Sequence, residues 1–385
     1  MNSTTTPLDP RVREAMVPLL DAPADGPGAR ETKRIADAAR AGVAMLCGAD
    51  PEEIVLTSGG TESCNLALKG PALWSVSRGE TRRRVLALAT EHTSVLYPLR
   101  TLGRLGCDAR EIPVDRDGTV DLDALEDLLG TPTSIVSIAP VNAETGTLQP
   151  VDRVVSMARE RGALVHVDAC LSAAYAPIDV GAMDVDLASF SAHKIGGPKG
   201  AGALFVREGV RLLPLIEGGV EEGGRRGGAA AAMSISGLGG AARIHAEQGA
   251  QDRARYARLS ARLEAGLRGV AGVLFNGGAR RAAGLVNVSV PGVDGEALIT
   301  KLSLRGIAVS TGSSCFQETG KPSHVLLAMG MEPERARGSV LFALGRATRD
   351  EEIDRVIEVF GEVVASLRAL GPARAGPGSS GTDRR

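Results

Sequence analysis

The sequence IVSIAPVNAETGTLQPVDRVVSMARERGALVHVD spans residues 135–168 and holds the pattern that decides the fold. It begins with a short β-branched run, Ile135–Ile138, and ends with a second one, Leu164–Val167. Between the two runs, Val151–Arg161 has the composition of a helix. A strand, a helix and a second strand in this order predict a βαβ unit whose two strands lie parallel in one sheet.

The same alternation extends in both directions from this unit. Further strands are predicted at Ile54–Thr57 and Val85–Leu88, and further helices at Arg30–Cys47 and Asp121–Leu129. A long helix is predicted at Ala241–Arg268, and the segments that follow it mix strands with helices. We therefore predict an α/β protein with a large, mainly parallel domain and a smaller α+β carboxyl-terminal domain.

The predicted domain bounds follow the change of pattern that begins near residue 240. We assign residues 10–250 to the large domain and residues 1–9 and 251–370 to the small domain. Residues 371–385 are rich in Gly, Pro and Ser, and this composition predicts a disordered tail.

The composition excludes several classes of protein. The chain has 385 residues, 23% of them charged, and a formal net charge of −2, so we expect no nucleic-acid partner. Its five cysteines are widely spaced without a C-x-x-C pair, which argues against disulfides and against a metal site. No apolar run reaches the ~18 residues that a membrane span needs. These features predict a soluble protein of the reducing cytoplasm that contacts no membrane.

Residues with useful chemistry stand at the ends of the predicted strands. Lys194, one of six lysines, follows an apolar stretch; it is either a surface charge or a buried amine made nucleophilic by its surroundings. Asp168 directly follows a strand and either caps the next helix or binds a cationic ring nitrogen. Glycines and hydroxyl groups at residues 58–63 precede a helix, which is typical of a phosphate site. His92 follows another strand.

With these motifs the sequence resembles the NifS/IscS-type cysteine desulfurases, which are class-V, fold-type I enzymes that depend on pyridoxal phosphate (PLP). The resemblance covers nearly the whole chain except its tail. The matching stretches are TTTPLDPRV (4–12), ADPEEIVLTSGGTES (49–63), TEH (90–92), HVDA (166–169), SFSAHKIGGPKG (189–200) and TGSSC (311–315).

The resemblance implies a role for each matched residue. Lys194 is expected to bind PLP covalently, Asp168 to pair with its ring nitrogen, and His92 to stack on its ring with a possible acid–base role. Cys315 is expected to be the nucleophile that takes sulfur from cysteine, on a glycine- and serine-rich loop. The residues expected near the phosphate are Gly60, Thr61, Ser191 and His193. The resemblance also implies a homodimer, a small amino-acid substrate and a sulfur-acceptor protein; no metal is expected.

Three positions depart from the family pattern where polar residues recognise the cofactor and substrate. Ala143 stands in place of an asparagine, Leu171 in place of a glutamine, and Leu341 in place of the arginine that binds the substrate carboxylate. The leading hypothesis is a desulfurase that acts on L-cysteine or a cysteine derivative. The alternatives are a PLP-dependent lyase or transferase with a less anionic substrate, or a catalytically weak PLP-binding scaffold.

Overall fold

A computed structural model describes residues 4–20, 28–80, 84–312 and 321–370. The α-helices are α1 (Pro10–Leu20), α2 (Ala29–Cys47), α3 (Gly60–Ser77), α4 (Thr93–Arg104), α5 (Leu122–Leu129), α6 (Val151–Glu160), α7 (Ala169–Tyr175), α8 (Ala232–Arg268), α9 (Gly295–Leu304), α10 (His324–Ala328), α11 (Pro333–Arg337) and α12 (Asp350–Ala369). The strands are β1 (Ile54–Thr57), β2 (Arg84–Leu88), β3 (Asp108–Ile112), β4 (Thr133–Ile138), β5 (Leu164–Asp168), β6 (Leu187–Ser191), β7 (Gly202–Val206), β8 (Leu274–Phe275), β9 (Leu285–Ser289) and β10 (Ser339–Ala343). The predicted tail, residues 371–385, lies outside the described residues.

The large sheet has seven strands in the order β1-β7-β6-β5-β4-β2-β3. Strands β3, β2, β4, β5 and β6 run parallel, whereas β7 pairs antiparallel with both β6 and β1. The prediction of a mainly parallel α/β sheet is therefore confirmed. Because the central strands are parallel, the loops that leave their carboxyl ends lie together at one edge, where α/β sheets bind ligands.

Helices cover both faces of the large sheet. Alternate residues of one strand point to opposite faces, and in β2 the side chains of Val85 and Leu86 belong to different apolar clusters. The cluster that holds Val85 packs α3 and α4 against the sheet, and the cluster that holds Leu86 packs α2, α5 and α8 against it. A sheet buried on both faces accounts for the nearly continuous apolar composition of its strands.

A second, antiparallel sheet has the order β10-β9-β8. Helices α9 and α12 pack together beside it, and α12 also packs on α8. Helix α8 begins at Ala232, nine residues before the predicted start, and runs unbroken through residue 250. The domain boundary at that residue stays a prediction. The described residues contain no helix with the length and apolar character that a bilayer span requires.

Gly202 at the start of β7 allows the chain to pass close to the turn before α3. A Cβ atom on Gly202 would lie 2.5 Å from the carbonyl carbon of Gly59 and 2.7 Å from the carbonyl oxygen of Phe190. Both neighbours are backbone, which cannot move without shifting a strand or the start of α3. Because Gly202 has no side chain, the turn before α3 can lie in direct contact with the start of β7.

We expect Gly202→Ala to lower the free energy of unfolding by about 1–3 kcal/mol, because the added methyl group forces backbone apart in a packed region. Gly361→Ala is a matched control inside α12, where a Cβ atom would lie 3.7 Å from the nearest side-chain atom. That control is expected to raise the free energy by up to about 1 kcal/mol through helix propensity. Urea unfolding of both variants measures the difference, and equal effects of the two substitutions would contradict the close approach.

Candidate active site

A cavity of about 440 Å³ lies at the carboxyl ends of β2, β4, β5 and β6. All the sequence-predicted site residues that the structure describes line it: Gly60, Thr61, His92, Asp168, Ser191, His193 and Lys194. Cys315 falls within residues 313–320, outside the described part of the chain. The fold therefore brings together seven residues that the sequence places at the ends of separate strands.

One end of the cavity is suited to an anion. Helix α3 begins there at Gly60, so its first backbone N–H groups are available to a ligand. The buried atoms Ser191 Oγ and His193 Nδ1 have no hydrogen-bond partner among the described residues. Burial, followed by the charges of Lys194 and Lys199, lowers the pKa of His193 to about 4, so this imidazole is neutral at pH 7. Unpartnered buried polar atoms beside a helix amino terminus fit a phosphate group.

A buried carboxylate lies in another part of the same cavity. Asp168 ends β5, is 7% exposed, and accepts a 2.9 Å hydrogen bond at Oδ1 from the backbone N–H of Cys170. It thus caps α7, as one interpretation of this residue predicts, and it also lines the cavity, while the binding of a ring nitrogen stays a prediction. A carboxylate removed from water is stabilised by a cation, and a protonated pyridine nitrogen is such a partner.

Lys194 follows β6 in a single 3₁₀ turn, Ala192–Lys194. It is partly buried rather than fully solvated, and it lines the cavity together with the exposed Lys199. Its place at the cavity favours the interpretation of Lys194 as a reactive amine over that of a surface charge. A primary amine at such a place can react with an aldehyde group.

The orientation of the His92 ring is set by the first turn of α4. His92 caps this helix: its Nδ1 accepts a 3.1 Å hydrogen bond from the backbone N–H of Ser94 and lies 2.8 Å from the Ser94 hydroxyl. A backbone N–H can only donate, so Nδ1 is the acceptor and the neutral ring carries its hydrogen on Nε2. The cap therefore fixes both the tautomer and the position of the imidazole.

Sequence analysis did not single out two buried carboxyl groups at the cavity. Burial, followed by the charge of Asp168, raises the pKa of Glu91 well above its usual value, and Glu91 Oε1 accepts a 2.7 Å hydrogen bond from Ala139 N. Burial also raises the pKa of Glu144 to about 7, while a hydrogen bond donated by Ser323 opposes this shift. Their neighbours in the sequence, His92 and Asn142, belong to recognisable motifs, but only packing shows that both carboxyl groups are buried.

The three residues that depart from the family pattern do not lie together in the structure. Ala143 and Leu171 line the cavity, where they present apolar side chains. Leu341 does not line it in the described structure; it lies in the core on β10, 1% exposed, with its backbone paired to Ser310. Of the three positions, only Ala143 and Leu171 therefore lie at the cavity of the described structure.

The comparisons with known proteins agree on one family. The model of the aminotransferase class-V family matches residues 2–356. A mitosomal cysteine desulfurase of Encephalitozoon cuniculi is 40% identical over 378 residues, which cover 96% of this chain and 87% of the relative. The cysteine desulfurase IscS of Salmonella typhi is 41% identical over 381 residues, which cover 96% of this chain and 93% of the relative.

A solved structure of a NifS-like protein has the same fold. It superimposes with a TM-score of 0.87 at 33% sequence identity, covering 95% of this chain and 98% of the other. The similarity therefore extends over both sheets and over the cavity between the strand ends.

The protonation of Glu144 predicts a pH-dependent effect on stability. Its pKa in the folded protein is about 7, against 4.5 for the free side chain, so ionisation weakens the fold as the pH rises from 4.5 through 7. Glu144→Gln cannot ionise and is not destabilised in this way. The free energy of unfolding of the variant minus that of the wild type is therefore expected to be about 3 kcal/mol larger at pH 8 than at pH 4.

Urea unfolding at a series of pH values measures this difference. Ser323→Ala is an informative companion, because it removes the hydrogen bond that favours the ionised form of Glu144. In that variant the loss of stability is expected to extend to higher pH than in the wild type. Parallel pH profiles for the wild type and Glu144→Gln would show that this carboxyl group does not titrate near pH 7.

Proposed function

This chain belongs to the aminotransferase class-V family, and from that premise we propose that it is a PLP-dependent cysteine desulfurase. The observation that carries the proposal is the composition of the 440 Å³ cavity. The start of α3 with two unpartnered polar atoms beside it, a buried carboxylate and a lysine line one cavity, and these are the groups that a phosphorylated pyridine aldehyde requires.

The residues present fit PLP at its phosphate, its ring nitrogen and its aldehyde group. Ser191, His193, Thr61 and the backbone at Gly60 would hold the phosphate, and the exposed Lys199 adds a positive charge at the cavity. Asp168 would bind the ring nitrogen and keep it protonated, and Lys194 would bind the aldehyde carbon covalently. When bound, PLP supplies an electron-accepting ring that weakens the bonds around the α-carbon of an amino acid.

His92 is placed to orient the reacting groups. Its cap hydrogen bond fixes the ring, and the neutral ring carries its hydrogen on Nε2, the nitrogen that takes no part in the cap. Protonating the ring would place a hydrogen on Nδ1 and break the bond to the Ser94 N–H. We propose that His92 therefore acts in its neutral form, holding a proton at Nε2.

Cys315 is proposed to receive the sulfur atom. Its thiolate attacks the sulfur of the bound substrate, the carbon–sulfur bond breaks, and that electron pair is protonated at carbon to give alanine. The net reaction converts L-cysteine and the Cys315 thiol into alanine and a Cys315 persulfide, so atoms and electrons balance without an external oxidant. An acceptor protein is proposed to take the terminal sulfur.

We further propose that the protein is a cytoplasmic homodimer with the two predicted domains. Several large apolar side chains are exposed, among them Val17 and Leu20 on α1 and Ile216 and Val220 in the loop after β7, and a second copy would cover such side chains. The described cysteines are free thiols, which a reducing compartment preserves.

A turnover assay on the purified full-length protein tests the function. We expect L-cysteine to give alanine and, with a thiol reductant, an equal amount of sulfide. Cys315→Ser is expected to abolish both products and the persulfide while the absorbance of the bound cofactor stays unchanged. Persulfide on a different cysteine, or turnover by Cys315→Ser, would contradict the assignment of the nucleophile.

Lys194→Ala is expected to lose the covalent bond to PLP, because no other side chain replaces its amine. Lys199→Ala is the matched control, since Lys199 lines the same cavity but is expected to contribute charge only. Borohydride reduction followed by mass spectrometry should find PLP attached to the wild type and to Lys199→Ala, and absent from Lys194→Ala. Attachment at another lysine would refute the assignment.

The apolar residues Ala143 and Leu171 predict weak saturation by free cysteine, because they offer no hydrogen bond to a cofactor or substrate oxygen. The double variant Ala143→Asn, Leu171→Gln is expected to lower KM for L-cysteine by about tenfold, the scale of one or two added hydrogen bonds. An unchanged KM, with saturation of the wild type at micromolar cysteine, would show that the carboxylate is bound elsewhere. Saturation only by a less anionic substrate would instead support the alternative of a different lyase or transferase.

A further inference from the structure

We infer that Cys64, Cys170 and Asp168 form a binding site for a thiophilic divalent cation such as zinc at the floor of the candidate active site. The two Sγ atoms and a carboxylate oxygen of these residues all lie within 4.8 Å of one another. Within residues 4–20, 28–80, 84–312 and 321–370, no other group of three histidine, cysteine or acidic side chains has this spacing. The sequence gives no sign of the site, since its cysteines are far apart and form no C-x-x-C pair.

The fold builds the cluster from three elements that also form the cavity. Cys64 lies in the second turn of α3 and is fully buried, while Asp168 ends β5 and Cys170 lies in the first turn of α7. The hydrogen bond from Cys170 N to Asp168 Oδ1 holds the last two residues in a fixed relation. Helix α3 packs on β5 and β6, which brings Cys64 against this pair.

The types and number of the donors suit zinc. Zinc in proteins binds thiolate sulfur at about 2.3 Å and carboxylate oxygen at about 2.0–2.2 Å, usually with four ligands. Donors at those bond lengths in a tetrahedral site are about 3–4 Å apart, which small side-chain rotations from the observed arrangement would reach. Cys170 and Asp168 line the cavity, so the fourth position would face it and remain open to a further ligand.

The charges of the donors and of the cavity favour a divalent cation at this site. Two thiolates and one carboxylate around a divalent cation leave a net charge of −1, and Lys194 and Lys199 line the same cavity. A metal ion displaces the protons of the thiols that it binds, so binding at this site is expected to release protons.

The position of the site predicts competition with the cofactor, a consequence that rests on the proposed function. Asp168 is the proposed partner of the PLP ring nitrogen, and a metal ion that binds its carboxylate removes that partner. Metal and PLP would then each weaken the binding of the other. Metal binding to PLP-free protein does not depend on the proposed function, so the two ideas can fail separately.

The test is a titration of the full-length Cys315→Ser protein with Cd²⁺, before and after removal of PLP. The background substitution removes the proposed nucleophile as a source of signal. We expect the PLP-free protein to bind one Cd²⁺ per chain, with the ultraviolet charge-transfer absorbance of two thiolate–cadmium bonds. The PLP-loaded protein is expected to bind at least tenfold more weakly.

Three variants in that background assign the site. Cys64→Ser and Cys170→Ala are each expected to weaken Cd²⁺ binding at least tenfold and to reduce the charge-transfer absorbance. Cys107→Ser changes a buried cysteine outside the cluster and is expected to leave both unchanged. Cys170→Ala is the decisive variant, because Cys170 is only partly buried and its loss leaves little unfilled volume in the core.

Three results would each overturn the inference. The first is the absence of thiolate–cadmium absorbance from the PLP-free Cys315→Ser protein, and the second is the survival of that absorbance in Cys170→Ala. The third is the isolation of a Cys64–Cys170 disulfide from protein purified without reductant, since an oxidised pair cannot bind the metal. Equal Cd²⁺ affinity with and without PLP would leave the metal site standing and refute the role proposed for Asp168.

Discussion

Two hydrogen bonds of His166 tie together the three strands on which the candidate active site depends. Its Nδ1 lies 2.8 Å from Ser137 Oγ on β4, and its Nε2 lies 2.9 Å from Ser189 Oγ on β6. The ring is fully buried, and this burial lowers its pKa to about 4, so a neutral ring with one donor and one acceptor nitrogen joins the strands. Asp168 follows His166 by two residues, and Lys194 follows Ser189 by five, so this polar link helps to set the distance between the two groups.

The cavity gathers groups whose burial is unfavourable without a partner. Asp168, Glu91 and Glu144 each place a carboxyl group at its wall, and burial raises the pKa of the two glutamates. The polar atoms Ser191 Oγ and His193 Nδ1 are buried without a hydrogen bond to any part of the chain that the structure describes. Such an arrangement costs stability in the empty protein and is typical of a site that a charged ligand completes.

Much of the fold could be predicted from the sequence because the relevant signals are local. The alternation of apolar runs and capped helices identifies β4, α6 and β5, and the structure ends α6 within one residue of the predicted position. Asp121 caps α5 by accepting a hydrogen bond from Ala124 N, as its place before a periodic leucine pattern indicates. The early start of α8 was not predicted, because the sequence before Ala241 is rich in small residues that favour no single structure.

The sequence by itself determined which polar residues stand at the strand ends, and parallel pairing is enough to bring Asp168, His92 and Lys194 to one edge. Only the tertiary structure decided which other side chains share their cavity. It placed Leu341 in the core, buried Glu144, and set Cys64 beside Cys170, although no local pattern indicates any of these positions. The physical reason is that the positions of strands and helices in the chain follow from local patterns of burial, whereas a contact between residues far apart in the chain depends on strand order and on how helices pack against the sheet.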